Sequence, residues 1–479
     1  MSELTVGWAE ADITPDGPVT LSGQYYHRTS TGIHSRLKAV VLAMTSGNGD
    51  SAVMVSMDVA AVPARFQQQV RERVQELEPE INPQKLFLNA THTHSAPALS
   101  AIRIWWLTPD PDCLDPDEYG EMACEKIAQA VTEAWQKRCP GGVCRAQAVA
   151  TVGHCRRSVY ADGHAEMYGP TSRPDFTGME GNEDSTIELL VTVDADQSPT
   201  GVILNVSCPS QVMEATYEIS SDYMGRVREL LKETFGPEFT TLCQIGAAGC
   251  QSPRDLVRMK DHTFWSAAGV EILAQRIAGA VREPITSACA HADPSPAFGH
   301  SVRTLGLPMR LATDEEYEQA VNELAELEKK LPREKAFAQF CEQVHVNEKK
   351  SGRPGPYDSK LHHFVLMQNA EAVIKRYEDQ KKKTTFDIEH HVLRIGDTAF
   401  VSCPFELFLD YGHRIKAISP AAQVSIIQLA CDHVGYLPTR RAEEFRGYGA
   451  LIINGDVGSE GGAELVRHSI DRIRDLFEQ

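Results

Sequence analysis

The chain has 479 residues, of which 42% are hydrophobic and 24% charged, and it is long enough to bury a large globular core. Its formal net charge of −19 argues against a nucleic-acid partner and against adsorption to anionic membranes. No apolar run approaches the roughly 18 residues of a membrane-spanning helix. The N-terminus lacks the features of a signal peptide, and the 12 cysteines include no Cys-x-x-Cys pair. These features favour free thiols and a cytoplasmic location without stable membrane insertion.

Short β-branched runs alternate with amphipathic helical patterns along the chain. The predicted strands are Lys38–Met44, Ala52–Met57, Lys85–Asn89, Cys144–Val152, Thr186–Val193, Thr200–Val206, Thr240–Ile245, His391–Ile395, Thr398–Ser402 and Val424–Leu429. The predicted helices are Pro63–Leu77, Pro116–Lys137, Met224–Phe235, Trp265–Val281 and Gly461–Phe477. This alternation predicts an α/β fold in which helices pack on a sheet.

The segment 313–383 differs from the rest of the chain by its richness in Glu, Lys, Ala and Leu. Its periodicity predicts a helix over 314–330, with a narrow apolar stripe and charge pairs at helical spacing. A second helix is predicted near Phe364–Lys381, after a Gly/Pro break at 351–356. We interpret the segment as a helical excursion from a single domain that comprises residues 1–479. Its role is either structural or to roof a functional site.

The most informative motif is Asn-Ala-Thr-His-Thr-His-Ser-Ala-Pro at residues 89–97. A strand-like apolar run precedes it and leads to His92 and His94. Residues two apart in an extended segment point to the same side, so both imidazoles can converge on one site. Because neutral imidazole is the commonest side-chain metal ligand, the motif indicates a metal site. The alternative is that the two histidines only bond to a loop.

The same motif resembles the Thr-His-Thr-His-Ser-Gly-Pro signature of the neutral (non-lysosomal) ceramidase family of zinc amidases. Further segments resemble the family's motifs in the family's order, at residues 7–15, 52–58, 244–253, 404–406, 435–439, 448–449 and 458–462. The resemblance covers nearly the whole chain. It implies a mixed β-sheet catalytic domain of neutral-ceramidase type with a helical insertion. Since the chain ends at Gln479, directly after the last predicted helix, we expect it to lack the C-terminal immunoglobulin-like domain of some members.

The resemblance also implies a Zn²⁺ site with His92, Glu406 and Tyr436 as ligands. Cys208 stands where the family has a second zinc-binding histidine. Thiolate is a good zinc ligand, so Cys208 is expected to complete the metal site. The alternatives are a weakened or lost site and a nucleophilic role for Cys208. For Glu406 the alternative is a cap on the following helix.

Catalytic roles follow from the same resemblance. Ser252 is expected to be the nucleophile, although Cys250 replaces the family's acidic residue nearby and Ser252 could instead cap a helix. His94 is expected beside the metal, where it bonds the substrate carbonyl or the tetrahedral intermediate. Arg157 is expected to stabilise the oxyanion with His94, the alternative being a surface ion pair. Asp222 is expected to order a neighbouring loop.

The sequence therefore predicts a zinc-dependent hydrolase that cleaves the carbon–nitrogen bond of an N-acyl amide. The attacking group would be Ser252 or a water at the zinc. The substrate need not be ceramide, because a strongly acidic protein without a recognisable leader fits another small-molecule or lipid-like amide. Two alternatives stay open. One is ester or glycoside hydrolysis on the same scaffold, and the other is a binding protein without a metal.

Overall fold

The computed structural model describes residues 3–24, 27–100, 112–258, 262–351 and 362–478. Its helices are α1 (Ala64–Leu77), α2 (Pro116–Gln136), α3 (Asp222–Phe235), α4 (Ala267–Cys289), α5 (Asp314–Lys330), α6 (Arg333–Ser351), α7 (His363–Asp379), α8 (Leu409–Ile418), α9 (Arg440–Phe445) and α10 (Ser459–Phe477).

The longer strands are β1 (Leu4–Asp12), β3 (Lys38–Thr45), β4 (Ser51–Met57), β5 (Leu86–Ala90), β6 (Cys139–Val149), β11 (Thr186–Val193), β12 (Pro199–Val206), β14 (Thr240–Ile245), β16 (Phe298–Pro308), β17 (Thr385–Ile395), β18 (Thr398–Ser402) and β20 (Gln423–Ile427). The short strands are β2 (Gly32–Ile33), β7 (His154–Cys155), β8 (Arg157–Tyr160), β9 (Ala165–Met167), β10 (Phe176–Met179), β13 (Glu218–Ile219), β15 (Gln251–Ser252), β19 (Glu406–Leu407) and β21 (Tyr436–Leu437).

Two mixed sheets form the centre of the protein. The larger has eight strands in the order β14-β12-β11-β6-β1-β3-β4-β5, and the smaller has four in the order β16-β17-β18-β20. Most neighbouring strands are antiparallel, but β4–β5, β12–β14 and β18–β20 are parallel pairs. Each parallel pair brings two carboxyl ends to the same edge of its sheet, where ligand sites of α/β proteins form.

Successive side chains of the central strands point to opposite faces of their sheet, and this alternation explains how the sheets and helices are layered. In β3, Val41 packs with α1 and α2, whereas its neighbours Val40 and Leu42 face the second sheet. In β18, Phe400 faces the large sheet and Val401 packs toward α8 and α10. Both sheets are therefore covered on both faces, and the order is helices, large sheet, small sheet, helices. Strands buried on both faces have continuous apolar sequences, as these do.

The predicted α/β fold class is confirmed, and each predicted strand and helix overlaps an element of the structure. The sequence did not reveal the longer elements β1, β16, α6, α8 and α9, nor the short strands. β1 and β16 contain Gly and charged residues on a half-exposed face, which interrupts the apolar pattern. The strand predicted at Cys144–Val152 begins five residues earlier than expected, at Cys139, because Cys139, Pro140 and Gly141 pair with β1.

The acidic and basic segment 313–383 contains α5, α6 and α7. A small apolar cluster that includes Leu327, Phe340 and Phe364 holds the three helices together. Residues 352–356 of the predicted Gly/Pro break lie outside the described residues. No described helix is both long and apolar enough to cross a membrane.

Candidate active site

The predicted site residues follow the carboxyl ends of strands from both sheets. His92 and His94 follow β5, Ser252 closes the loop after β14, and Glu406 comes four residues after β18. Glu406 opens β19, which pairs in parallel with β21 so that Glu406 and Tyr436 are register partners. Residues that are distant in the chain thus converge on one edge of the molecule, as expected for a site built on strand ends.

Three of the four predicted zinc ligands lie together. His92 Nε2 is 3.6 Å from Glu406 Oε2, and the Tyr436 hydroxyl bonds to the Glu406 carboxylate. All three side chains are at least nine-tenths buried. Burial opposes ionisation of Glu406, but bonding to His92 and the charge of Arg156 hold the pKa of its carboxyl below the ordinary value.

The donor atoms of this group suit a cation. His92 Nδ1 lies 2.5 Å from the Ala60 carbonyl, which only accepts, so Nδ1 donates to it. The other ring nitrogen, Nε2, faces the Glu406 carboxylate. Ligand bonds of about 2.1 Å place neighbouring donors of a tetrahedral zinc site about 3.4 Å apart, close to the observed separation. His92 also has a left-handed φ of 61°, a conformation uncommon for a non-glycine residue and often found at functional sites.

His94 lies beside this group, as predicted. Its Nε2 is 3.3 Å from His92 Nε2 and 2.7 Å from Gln211 Nε2. Its Nδ1 is 3.7 Å from the Glu214 carboxylate. Burial, together with the charges of His92 and two arginines, lowers the pKa of His94 well below its ordinary value. The imidazole is therefore neutral at neutral pH and able to accept a proton.

The arginine at the site is Arg156. Its guanidinium donates to the Tyr436 hydroxyl at 3.3 Å and to the Gly249 carbonyl at 3.0 Å, and it lies 3.6 Å from Glu406 Oε2. It also donates to Tyr168 and Gln211, both at 3.3 Å. A buried guanidinium thus points its charge at the same space as His92 and His94.

Arg157, predicted to stabilise the oxyanion, does not lie in that space. It is fully buried in an ion pair with Glu180 at 2.7 Å, and its other nitrogens donate to the carbonyls of Tyr448 and Arg446. Consecutive residues of an extended chain point in opposite directions, so Arg156 and Arg157 cannot serve the same site. The expected contact of Arg157 with the site is corrected accordingly.

Cys208, the predicted fourth ligand, also lies apart. Its Sγ is 3.6 Å from the carbonyls of Val152 and Pro209, within the apolar cluster under α3 and α4. Among the described residues, its sulfur is not within 4.8 Å of donor atoms of both His92 and Glu406. Burial raises the pKa of the thiol. The cysteine occupies the histidine's place in the sequence, but its shorter side chain faces the core.

Ser252 is linked to the site through Tyr168. Its Oγ accepts hydrogen bonds from the Tyr168 hydroxyl at 3.3 Å and from the backbone N–H of Arg254 at 3.1 Å. Tyr168 in turn accepts from Arg156. The second bond is the local turn contact expected of a serine that caps the following residues. Both sequence interpretations, a site residue and a cap, thus have a contact that corresponds to them.

A cavity of about 550 Å³ opens onto Glu406 and Tyr436. One wall comes from α7, which contributes Lys375, Arg376 and Asp379. Arg376 holds this wall in place through an ion pair with Asp456 at 2.5 Å. The helical segment therefore lies over the edge of the site, as one of its two predicted roles requires.

Sequence reasoning missed Arg156, Tyr168, Gln211 and Glu214. Burial raises the pKa of Glu214 to about 7, and its carboxylate accepts from Gln24 at 3.1 Å. Glu214 lies in the segment after β12 that also contains Cys208. The signal available was the group of polar residues Ser207, Ser210, Gln211 and Glu214 in the segment that follows an apolar strand. Asp222 accepts backbone N–H groups from Met213 and Tyr223 at 2.7 and 2.8 Å, in keeping with the expected ordering of this loop.

Comparison with known proteins identifies proteins that are similar to this chain. Residues 4–242 match the family described as neutral/alkaline non-lysosomal ceramidase, N-terminal. The fold is similar to that of neutral ceramidase from Pseudomonas aeruginosa, with 18% identity and a TM-score of 0.69 over 100% of this chain and 75% of that one. It is also similar to a ceramidase complexed with C2, with 16% identity and a TM-score of 0.68 over 100% and 76%. No curated protein matches the chain. The chain belongs to the neutral/alkaline non-lysosomal ceramidase family, and its family and fold support a hydrolase.

Proposed function

We propose that the protein is a zinc-dependent hydrolase that cleaves the carbon–nitrogen bond of an N-acyl amide. The observation that carries this proposal is the approach of His92 Nε2 to Glu406 Oε2 at 3.6 Å, beside a neutral histidine and a buried arginine. Imidazole, carboxylate and phenol donors converge there, in a setting that also offers a proton acceptor and a fixed positive charge. Each of these groups assists amide hydrolysis.

His92, Glu406 and Tyr436 would hold the zinc. Catalytic zinc sites have three protein ligands and one open position, so the site does not require Cys208. When bound, zinc supplies a Lewis acid that polarises the scissile carbonyl. The Ala60 carbonyl fixes the tautomer and the ring orientation of His92, which is the usual role of a second bond to a ligand histidine.

The remaining residues would handle the charge and the protons of the reaction. Arg156 faces the carbonyl oxygen and stabilises the negative charge that develops there. His94 accepts a proton and returns it to the leaving amine, with Gln211 donating to its Nε2 in the resting site and Glu214 near its Nδ1. The attacking group is either a water next to His94 or the Ser252 hydroxyl. Stable Ser252→Ala protein that retains turnover would select the water.

We propose a polar N-acyl amide, rather than a long-chain lipid, as substrate. The support is the wall of the cavity at Glu406, where Lys375, Arg376 and Asp379 bring charges of both signs. An extended hydrocarbon chain would have to desolvate these groups without a compensating bond. A short acyl group linked to a polar or charged amine could bond to them.

The test is hydrolysis by zinc-loaded protein of matched amides, esters and glycosides, with short polar and long-chain acyl amides as separate arms. We expect turnover of short amides, its loss on zinc removal and its return on zinc addition. His94→Ala should lower kcat by about 10² or more while zinc stays bound. Turnover confined to esters or glycosides would overturn the amide assignment, and preference for long acyl chains would overturn the polar substrate. Full turnover of metal-free protein would overturn the role of zinc.

A further inference from the structure

A second group of potential metal ligands lies away from the proposed zinc site. Glu389 and His391 are two residues apart on β17, so their side chains point to the same side, and Cys431 follows β20. One donor atom from each lies within 4.8 Å of the other two, an arrangement that no other His, Cys, Asp or Glu group attains in the described parts of the chain. His391 and Cys431 are buried, and Glu389 is partly exposed.

The hydrogen bonds around His391 require one proton more than two neutral imidazoles hold. His300 Nδ1 lies 3.0 Å from the Ser51 carbonyl and must donate to it. His391 Nε2 lies 2.9 Å from Glu389 Oε1 and must donate to the carboxylate. The remaining nitrogens, His300 Nε2 and His391 Nδ1, are 2.9 Å apart, and their contact needs a third proton.

The surroundings disfavour that third proton. Both imidazoles are buried, and burial opposes a charged form of the ring. The positive groups nearest to the pair are Arg71, which forms an ion pair with Glu389 at 2.7 Å, and Lys85. Two neutral imidazoles would leave one of these close contacts without a proton, either between the two histidines or between His391 and Glu389.

We propose that Glu389, His391 and Cys431 bind a divalent cation of the zinc class through carboxylate oxygen, Nε2 and Sγ. The cation takes the place of the proton between His391 and Glu389. His391 Nδ1–H then donates to His300, whose Nδ1–H donates to Ser51, and every contact is satisfied with both imidazoles neutral. Carboxylate, imidazole and thiolate are the ligands that zinc prefers, and a ligand histidine typically donates its other N–H to a fixed acceptor.

Binding of the cation displaces one proton, from Cys431 Sγ, and the thiol becomes a thiolate ligand. The proton of His391 stays on the ring, at Nδ1. With both imidazoles neutral before and after, the local charge near Arg71 rises by one on binding. Cys431 also has a left-handed φ of 70°, which directs its side chain while its N–H bonds to the Leu88 carbonyl at 3.0 Å.

The cation would fix the loop that borders the proposed active site. Cys431 is two residues from His433, whose Nε2 lies 3.7 Å from Glu406 Oε1. Phe87, on the strand that leads to His92, packs against the His391 ring at a centroid distance of 4.7 Å. The second site is thus chemically separate from His92 and Glu406 but anchors segments that reach both.

The experiment uses full-length protein loaded with cobalt in place of zinc and records its absorption spectrum. A thiolate ligand gives a sulfur-to-cobalt charge-transfer band, which the sulfur-free set His92, Glu406 and Tyr436 cannot give. We expect the band in wild-type protein and in Cys208→Ser, and its loss in Cys431→Ser together with one equivalent of cobalt. His391→Gln should lose the same band, and His92→Ala should keep it.

These outcomes test the second metal site separately from the proposed hydrolase function. Absence of the band in cobalt-loaded wild-type protein would overturn the second site whether or not any variant folds. A band that Cys208→Ser abolishes would assign the thiolate to the first site and overturn the proposal as well. A band retained in folded Cys431→Ser would do the same. Loss of hydrolysis in His92→Ala with the band intact would leave the second site standing.

Discussion

Arg156 and Arg157 are neighbours in the chain, yet their side chains lie in different environments and are expected to have different roles. Arg156 bonds to groups of the proposed site, whereas Arg157 bonds to Glu180 and to backbone carbonyls. Arg156→Met should lower kcat/KM by about 10² to 10³, since a fixed donor to the oxyanion is lost. Arg157→Met should instead destabilise the fold by about 3–5 kcal/mol, because it leaves a buried carboxylate unpaired. Steady-state kinetics and urea unfolding of both variants check this, and an exchange of the two phenotypes would contradict it.

Asp222 lies at the start of α3 in the left-handed region, at a φ of 53°. Burial outweighs its bonds to backbone N–H groups and raises the pKa of its carboxyl from 3.8 to about 6. A raised pKa stabilises the folded state fully below pH 3.8, and this contribution is lost as the pH rises through 6.

Asp222→Asn tests this pH dependence, because asparagine tolerates the left-handed backbone and does not ionise. The free energy of unfolding of wild type relative to the variant should fall by up to about 3 kcal/mol between pH 4 and pH 7. Urea unfolding of both proteins at several pH values measures the difference. A difference that stays constant over this range would show that Asp222 ionises normally.

At the scale of elements, the pairing of β19 with β21 places Glu406 next to Tyr436. The loop after β14 packs directly behind this pair, because Gly249 N donates to the Leu407 carbonyl at 2.8 Å. A Cβ on Gly249 would lie 2.2 Å from the Glu406 carbonyl oxygen, far inside van der Waals contact. The small residue thus allows the loop to approach the backbone of a proposed ligand.

Gly249→Ala should therefore displace β19 and weaken zinc binding by an order of magnitude or more. Gly279→Ala is the matched control, since Gly279 lies in α4 with no atom within 4 Å of an added Cβ. The control should bind zinc as wild type does and gain up to about 1 kcal/mol of stability from the better helix former. Competition with a zinc chelator measures both affinities. Equal affinities would show that Glu406 tolerates the shift.

At the scale of the whole molecule, the sequence predicted the fold class and the central strands because their apolar runs are continuous. It also predicted the cluster of His92, His94, Glu406 and Tyr436, which each follow or open a strand in a recognisable motif. It could not predict which side chain of a consecutive pair faces the site. Arg156 was missed because resemblance favoured Arg157, and Cys208 was expected at the metal although its thiol faces the core.

The second cluster escaped sequence analysis for a different reason. Glu389 and His391 lie on one strand of the small sheet and Cys431 follows another, and no local motif joins all three. Only the packing of β17 beside β18, with β20 on the far side, brings the three groups together. Contacts between residues distant in sequence, rather than local patterns, determine such a site.

The central claim is that His92 and Glu406 hold a zinc ion, and metal analysis of purified variants tests it most directly. His92→Ala and Glu406→Ala should each lose one equivalent of zinc relative to wild type while circular dichroism shows a retained fold. Cys208→Ser, a change in a buried residue that lies apart from these donor atoms, should keep the wild-type content. Full retention of zinc in both folded variants of His92 and Glu406 would contradict the account.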